Sequence, residues 1–409
     1  MADNIPRCNH FVLRKKRYCK MSVKKGQQYC GEHQIASGTP NQLLIPQKSE
    51  LCALWIENNI VTCYAHNLEK HLKICNSRET TPEAFISKGI NSGDDNNTDN
   101  TYNLLSTYSV FDIKNTVSKV NQIYKRFIEG KISKKILSHK LIEEEMSKPE
   151  YGDNTKKHLK QASAILQLLN EYDMIKPKTC YIEFGAGRGQ LSYWISKATE
   201  SNTGSTVLLI ERASPKHKRD NKLAKTIDQV QRIRADIADL ILDKVNAIGK
   251  TENIVGVTKH LCGEATDLAL RCLGNIRENK DKLQGVIFSF CCHHRCRWIP
   301  YTGREFFEEN QLSKDNFNIM CNMASWATCG TGLSRQKQAS NEAERSKQNE
   351  RDIEIGLNKE QKEDIGRKSK NIINWGRLVY LEKLGFKCAL HYYVESTISL
   401  ENVCVVAHR

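Results

Sequence analysis

No stretch of these 409 residues is apolar enough to cross a membrane as a helix. The N-terminus lacks the apolar core of a secretory leader. Both absences lead us to expect a nuclear or cytoplasmic protein with no membrane partner. Hydrophobic residues make up 39% of the chain, enough for one large domain plus small modules. Without a secretory leader, the sixteen cysteines are not expected to pair as disulfides, and metal thiolates become the expectation. Acid is in deficit as well: 47 Asp and Glu face 62 Lys and Arg, a net charge of +15. That balance calls for an anionic partner, most simply nucleic acid; a solvated basic surface is the plainer alternative.

The stretch from Tyr181 to Ile195 organises the rest. Thr179 to Phe184 is β-rich and mostly apolar. Gly185, Gly187 and Gly189 then permit a sharp turn and leave room for a ligand against the main chain. Leu191, Trp194 and Ile195 follow at helical spacing. This reads as the strand, turn and helix that open a Rossmann-like sheet. The third glycine of the dinucleotide fingerprint is missing, because Gln190 stands in its place. Glu183 stands two residues before the first glycine. A carboxylate there repels a pyrophosphate but accepts from an ammonium, which suits S-adenosylmethionine. Glu211 closes the apolar run Val207 to Ile210, where an acid can accept from two ribose hydroxyls. Asp236, after a further strand at Val230 to Ile233, reads either as a contact to the adenine amino group or as a helix cap.

Two cysteine-rich modules precede this region. Residues 1–40 carry Cys8, Cys19, Cys30 and His33, a set of four zinc ligands in a segment too polar to fold without metal. Between them Arg14, Lys15, Lys16, Arg17, Lys20, Lys24 and Lys25 interleave with Phe11, Tyr18 and Tyr29. That mixture suits RNA backbone contacts and base stacking. Residues 48–80 contain Cys52 and the pair His71 and Cys75, with Cys63 or His66 completing a second zinc site. Residues 87–103 read as a flexible Gly-Asn-Asp linker. The remainder, 104–409, reads as one α/β domain with a charged insertion near 334–364 that is either mobile or a solvated helix. Within it, 110–146 look helical, and Asn154 to Met174 form an amphipathic helix with Leu159, Ala162, Leu166 and Leu169 on one face. Gly366 to Leu384 form another, with Arg367, Lys368, Lys370 and Arg377 as a basic face. Phe386 to Tyr393 and Asn402 to Ala407 read as a closing hairpin.

Two buried strands, Asn253 to Lys259 and Gly285 to Phe290, end in dense polar sequence. The first runs into Lys259-His-Leu-Cys-Gly-Glu-Ala-Thr-Asp267, with a helix from Glu264; the second runs into Cys291-Cys-His-His-Arg-Cys296. Ligands in open α/β sheets bind at the carboxyl ends of strands, so both tips are expected beside the glycine loop.

Taken in order, these motifs, together with Ser325-Trp-Ala327, resemble the eukaryotic tRNA 2′-O-methyltransferases that modify the fourth nucleotide of the acceptor stem. The resemblance spans most of the chain. It implies a class I methyltransferase fold, CCCH and CHHC zinc modules, and methyl transfer from S-adenosylmethionine to a ribose hydroxyl of tRNA, with no DNA partner. One departure is that Cys52 is followed by Ala53 where the family has proline, and no histidine stands near Asn58 to Val61.

Such a reaction needs the ribose oxygen held in line and relieved of its proton. Lys259, through charge or as a desolvated base, and His260, as an ordinary base, are the leading candidates. His293 and His294 are the competitors from the adjacent strand. The Cys291 to Cys296 run reads as either a metal site or a polar network that shapes the pocket. Two other functions fit parts of the sequence: a methyltransferase for a protein or small molecule, and a non-enzymatic RNA-binding scaffold.

Overall fold

The computed structural model describes residues 7–12, 17–19, 21–23, 26–30, 83–93, 102–216, 219, 230–329 and 354–409. Two compact units divide the chain, Met1–Thr81 and Pro82–Arg409. In the first, a short hairpin pairs β1 (Phe11–Val12) with β2 (Arg17–Tyr18). The Cys8 N–H donates to the Met21 carbonyl at 3.0 Å and the Cys19 N–H to that of His10 at 2.8 Å, so the hairpin gathers both cysteines at its open end.

Among its described residues the second unit is built on an eight-stranded sheet. The strands are β3 (Ser133–Lys134), β4 (Thr179–Phe184), β5 (Thr206–Ile210), β6 (Val230–Ile233), β7 (Asn253–Cys262), β8 (Leu283–Cys291), β9 (Lys387–Tyr392) and β10 (Val403–His408). Their order is β3-β9-β10-β8-β7-β4-β5-β6. The chain steps outward from β4 to β5 and β6, then crosses back to β7 and β8, all in parallel. β10 lies antiparallel between β8 and β9. This is the class I methyltransferase arrangement, and its switch point falls between β4 and β7, where a ligand crevice opens at the strand ends.

Alternation along each strand sends residues to two cores. Cys180, Ile182 and Phe184 of β4 face one side, and Tyr181 faces the other. The Tyr181 side is covered by α2 (Asp153–Glu171) and α3 (Gln190–Ala198). Leu159, Ala162, Leu166 and Leu169 of α2 are buried there, as their spacing predicts. Each of the three leucines contributes on the order of 2 kcal/mol by leaving water. Helix α4 (Glu264–Gly274) packs on the opposite face, following β7. A third core of Trp298, Tyr301, Phe307 and Phe317 lies among α1 (Val110–Phe127), α5 (Lys314–Met323) and α6 (Lys359–Lys383).

Several expectations need correcting. The linker expected over 87–103 does not begin at Ser87. Ile86 bridges to Leu240, and the buried Asn91 amide donates to the carbonyls of Ile237 at 2.7 Å and Leu240 at 2.8 Å. Residues 83–93 thus strap onto the sheet domain because a buried asparagine can satisfy two carbonyls at once. The helical reading of 110–146 is interrupted by β3, which pairs with β9. In the charged insertion Ile355 is buried, Asn358 caps α6 through a reciprocal bond with Gln361, and residues 359–361 are exposed on that helix, the solvated alternative. Residues 334–353 lie outside the described residues. Finally, Lys370 and Arg377 do not belong to a basic surface. Lys370 Nζ meets Glu401 Oε2 at 2.5 Å, and Arg377 holds Asp267 with contacts of 2.7 and 3.1 Å. Both cations are buried because each has an acid from a distant segment.

Candidate active site

The glycine loop joins β4 to α3 with Gly185, Gly187 and Gly189 all at positive φ. Their reasons differ. A Cβ on Gly185 would come within 2.7 Å of Leu261 Cδ1, so this glycine serves close packing of the loop on β7. A Cβ on Gly187 would meet nothing nearer than the Gly185 carbonyl at 4.0 Å. That open side is the room a ligand needs beside the main chain. Gly189, at φ 72°, caps α3 in the left-handed conformation.

Glu211, just past β5, accepts from the Gly187 N–H and the Ala213 N–H, each at 2.8 Å. It therefore sits against the loop at the end of the second strand. Glu183 is buried, and its Oε2 accepts from the Ser192 N–H at 2.8 Å and from the Ser192 hydroxyl. Burial pushes the Glu183 carboxyl up to about 7, against the pull of Ser192 and Lys259. Asp236 accepts from the Ala238 N–H at 3.1 Å and so takes the capping alternative; its other oxygen meets Arg212 at 3.2 Å. The open side of Gly187 and the carboxylates at the ends of β4 and β5 fit S-adenosylmethionine. A recess of about 340 Å³ lined by Met174, Gln284 and His408 lies at the opposite, amino ends of β4 and β8, away from this crevice.

Lys259 reaches the same side as Glu183 by strand alternation, since Val255 and Val257 of β7 join the Tyr181 core. β7 runs further than its apolar run suggests, through Cys262. From Thr258 to Leu261 it spends one residue more than β8 spends from Phe288 to Phe290. This bulge sends Leu261 to the opposite core and brings His260 to the side of Lys259. Both meet His158 of α2: Lys259 Nζ lies 3.5 Å from His158 Nδ1, and the two imidazoles stand edge to face at 6.1 Å. Lys259 is buried, and loss of solvent lowers its ammonium to about 8 although the Glu183 charge pulls the other way. His260 keeps an exposed edge, yet protein crowded around the ring holds it below the ordinary imidazole value, helped by the Lys259 charge. His158 is lowered by the same two causes in the same order.

The second tip divides. His293 is buried, with Nε2 2.8 Å from Asn374 Oδ1 and Nδ1 3.9 Å from Glu401. It belongs to the polar network under α6, and burial pushes it well below its usual pKa. His294 is exposed. The structure thus brings Glu183, Lys259 and His260 together, and adds His158, which the sequence reading missed. Its signal was a polar residue one turn before Ala162 on an otherwise apolar stripe.

In the N-terminal unit the Sγ atoms of Cys8, Cys19 and Cys30 all lie within 4.8 Å of one another, and Cys19 and Cys30 are 3.9 Å apart. Thiolates at about 2.3 Å from a tetrahedral zinc stand roughly 3.8 Å apart, so the trio fits that ion. His33, the expected fourth ligand, and Cys52, Cys63, His66, His71 and Cys75 of the second module lie outside the described residues.

A mixed, mostly parallel sheet with this switch point, this glycine loop and a zinc-fitting cysteine trio define an S-adenosylmethionine-dependent methyltransferase with an N-terminal zinc finger. Residues 160–408 match the family described as Methyltransferase TRM13, and residues 6–34 match the CCCH zinc finger in TRM13 protein. The tRNA:m(4)X modification enzyme TRM13 homolog of Mus musculus is 32% identical over 98% of this chain and 94% of its own. The Homo sapiens homolog is likewise 32% identical over the same shares. The TRM13 enzyme of Saccharomyces cerevisiae is 27% identical over 98% of this chain and 96% of its own. The chain belongs to the TRM13 methyltransferase family. Among the described residues no helix is long and apolar enough to cross a membrane.

Proposed function

We propose that this enzyme methylates the ribose 2′-hydroxyl of the fourth nucleotide of the tRNA acceptor stem, with Lys259 as the group that takes the proton. The relatives' activity, tRNA:m(4)X modification, supports the substrate. The observation that carries the chemistry is the buried Lys259 at the switch point, lowered to about 8. At pH 7 roughly a tenth of such an amine is free to accept a proton. S-adenosylmethionine supplies a methyl group on a good leaving group, so no covalent enzyme intermediate is needed. The chain's own work is to position the hydroxyl and receive its proton. Lys259 Nζ would receive the hydroxyl proton as the ribose oxygen takes the methyl carbon and the bond from that carbon to the cofactor's sulfur breaks, leaving a neutral thioether. His158, beside that amine, steadies it, and His260 at the exposed edge orients the ribose. Glu183 and Glu211 hold the cofactor's amino and ribose ends. The net charge of +15 supports an RNA partner. So do Phe11 and Tyr18, exposed at 43% and 65% and edge to face at 5.2 Å, as a stacking platform. A tRNA substrate is in keeping with a nuclear or cytoplasmic enzyme.

Labelled S-adenosylmethionine with unmodified tRNA tests this directly. Label should enter the RNA, and tRNA carrying a 2′-deoxy sugar at the fourth nucleotide should stay unlabelled. Equal labelling of the deoxy substrate rules out the proposed acceptor.

A further inference from the structure

Three thiols at the strand tips have no part in the reaction above. Cys262 ends β7 and Cys291 ends β8, and the two are direct partners in the parallel register. Their side chains therefore leave the same face, with Sγ atoms 3.6 Å apart. The next residue on a strand normally points to the opposite face, which would carry Cys292 away. Instead Cys292 adopts φ 52°, ψ 44°, a left-handed conformation. The three Sγ atoms consequently all lie within 4.8 Å of one another. A non-glycine residue in that region costs on the order of 1 kcal/mol or more, and such residues cluster at ligand clamps. The left-handed turn is what lets adjacent cysteines serve one site.

We propose that Cys262, Cys291 and Cys292 bind one zinc ion, separate from that of the N-terminal finger. The spacing supports this: tetrahedral zinc thiolates stand roughly 3.8 Å apart, between the 3.6 Å pair and the 4.8 Å limit of the trio. A disulfide between Cys262 and Cys291 leaves the third thiol and its strained turn without a purpose. Binding breaks three S–H bonds and forms three S–Zn bonds; the protons go to solvent and no electron is transferred. Cys262 is exposed, so a water completes the tetrahedron. The ion ties the end of β7, which carries Lys259 and His260, to the turn after β8. It braces the two tips against each other where the substrate must enter.

The test uses the full chain, with zinc per chain measured by mass spectrometry after gel filtration. Cys262→Ser and Cys292→Ser should each carry one equivalent less than the parent. Cys8→Ser with Cys30→Ser should remove a different equivalent, and the losses should add when the two sites are combined. S-adenosylmethionine affinity and thermal unfolding establish that each variant is folded. Folded Cys262→Ser and Cys292→Ser with the parent's full zinc content overturn the proposal. Where a variant does not fold, alkylation of the parent decides. Protection of all three thiols until a chelator is added supports the site. Alkylation of Cys262 at the same rate with and without chelator overturns it.

Discussion

Replacing Lys259 by methionine should make this enzyme more stable and much slower. Methionine keeps the length of the side chain and removes the charge. A lysine lowered from 10.5 to about 8 on folding costs about 3 kcal/mol at pH 7, where it still carries its proton in a buried site. Removing it should raise stability by up to that amount. Part of the gain is lost at Glu183, which forfeits a positive neighbour and takes up a proton more readily. The pH dependence follows from the same shift. Between pH of about 8 and 10.5 the unfolded chain holds the lysine proton and the folded chain does not, so the parent gains stability as pH rises through that window. The variant should lack that rise, and its advantage should vanish at the upper end. Urea melts at pH 7 and pH 9.5 measure both effects. In single-turnover assays the parent's rate should climb with pH and level off above about 8. Lys259→Met should be slower by about 100-fold or more, with tRNA and cofactor affinity nearly unchanged. A variant that melts earlier than the parent at pH 7, or that keeps the parent's pH–rate profile, refutes the reasoning.

Gly187→Arg should abolish S-adenosylmethionine binding, because it fills the open side of the loop and strains a residue at φ 51°; calorimetry checks this, and zinc content should not change. Cys30→Ser should unfold the first module, since metal binding and folding are one event there. It should weaken tRNA binding in filter assays and leave cofactor affinity intact; equal loss of both would place that module in the catalytic core. Arg377→Met should cost about 3–5 kcal/mol in urea unfolding by leaving Asp267 buried without its cation, and a loss under 1 kcal/mol contradicts that pairing.

Where the determinants are local, the sequence was a good guide. β4, β5 and the start of α4 fall where the apolar runs and the glycines place them, because a buried parallel strand and a glycine turn write themselves into neighbouring residues. The hairpin of β9 and β10 was legible for the same reason. What escaped depends on partners far along the chain. His158 acquires meaning only when α2 lies across β7. The side on which His260 emerges depends on one extra residue in β7, a matter of register against β8. Lys370 and Arg377 read as a solvated face because Glu401 and Asp267 are distant in sequence. Asn91 read as linker for the same reason: the carbonyls it satisfies lie near residue 240.

The proposed reaction puts the methyl on one ribose oxygen. Alkaline hydrolysis of end-labelled tRNA after reaction tests it most directly, because a 2′-O-methyl group removes the nucleophile that cleaves the next phosphodiester. A single bond should be protected, on the 3′ side of the fourth nucleotide, and Lys259→Met should leave that bond cleavable over the reaction time that suffices for the parent. A complete ladder in tRNA that has taken up labelled methyl, or protection at a different nucleotide, contradicts it.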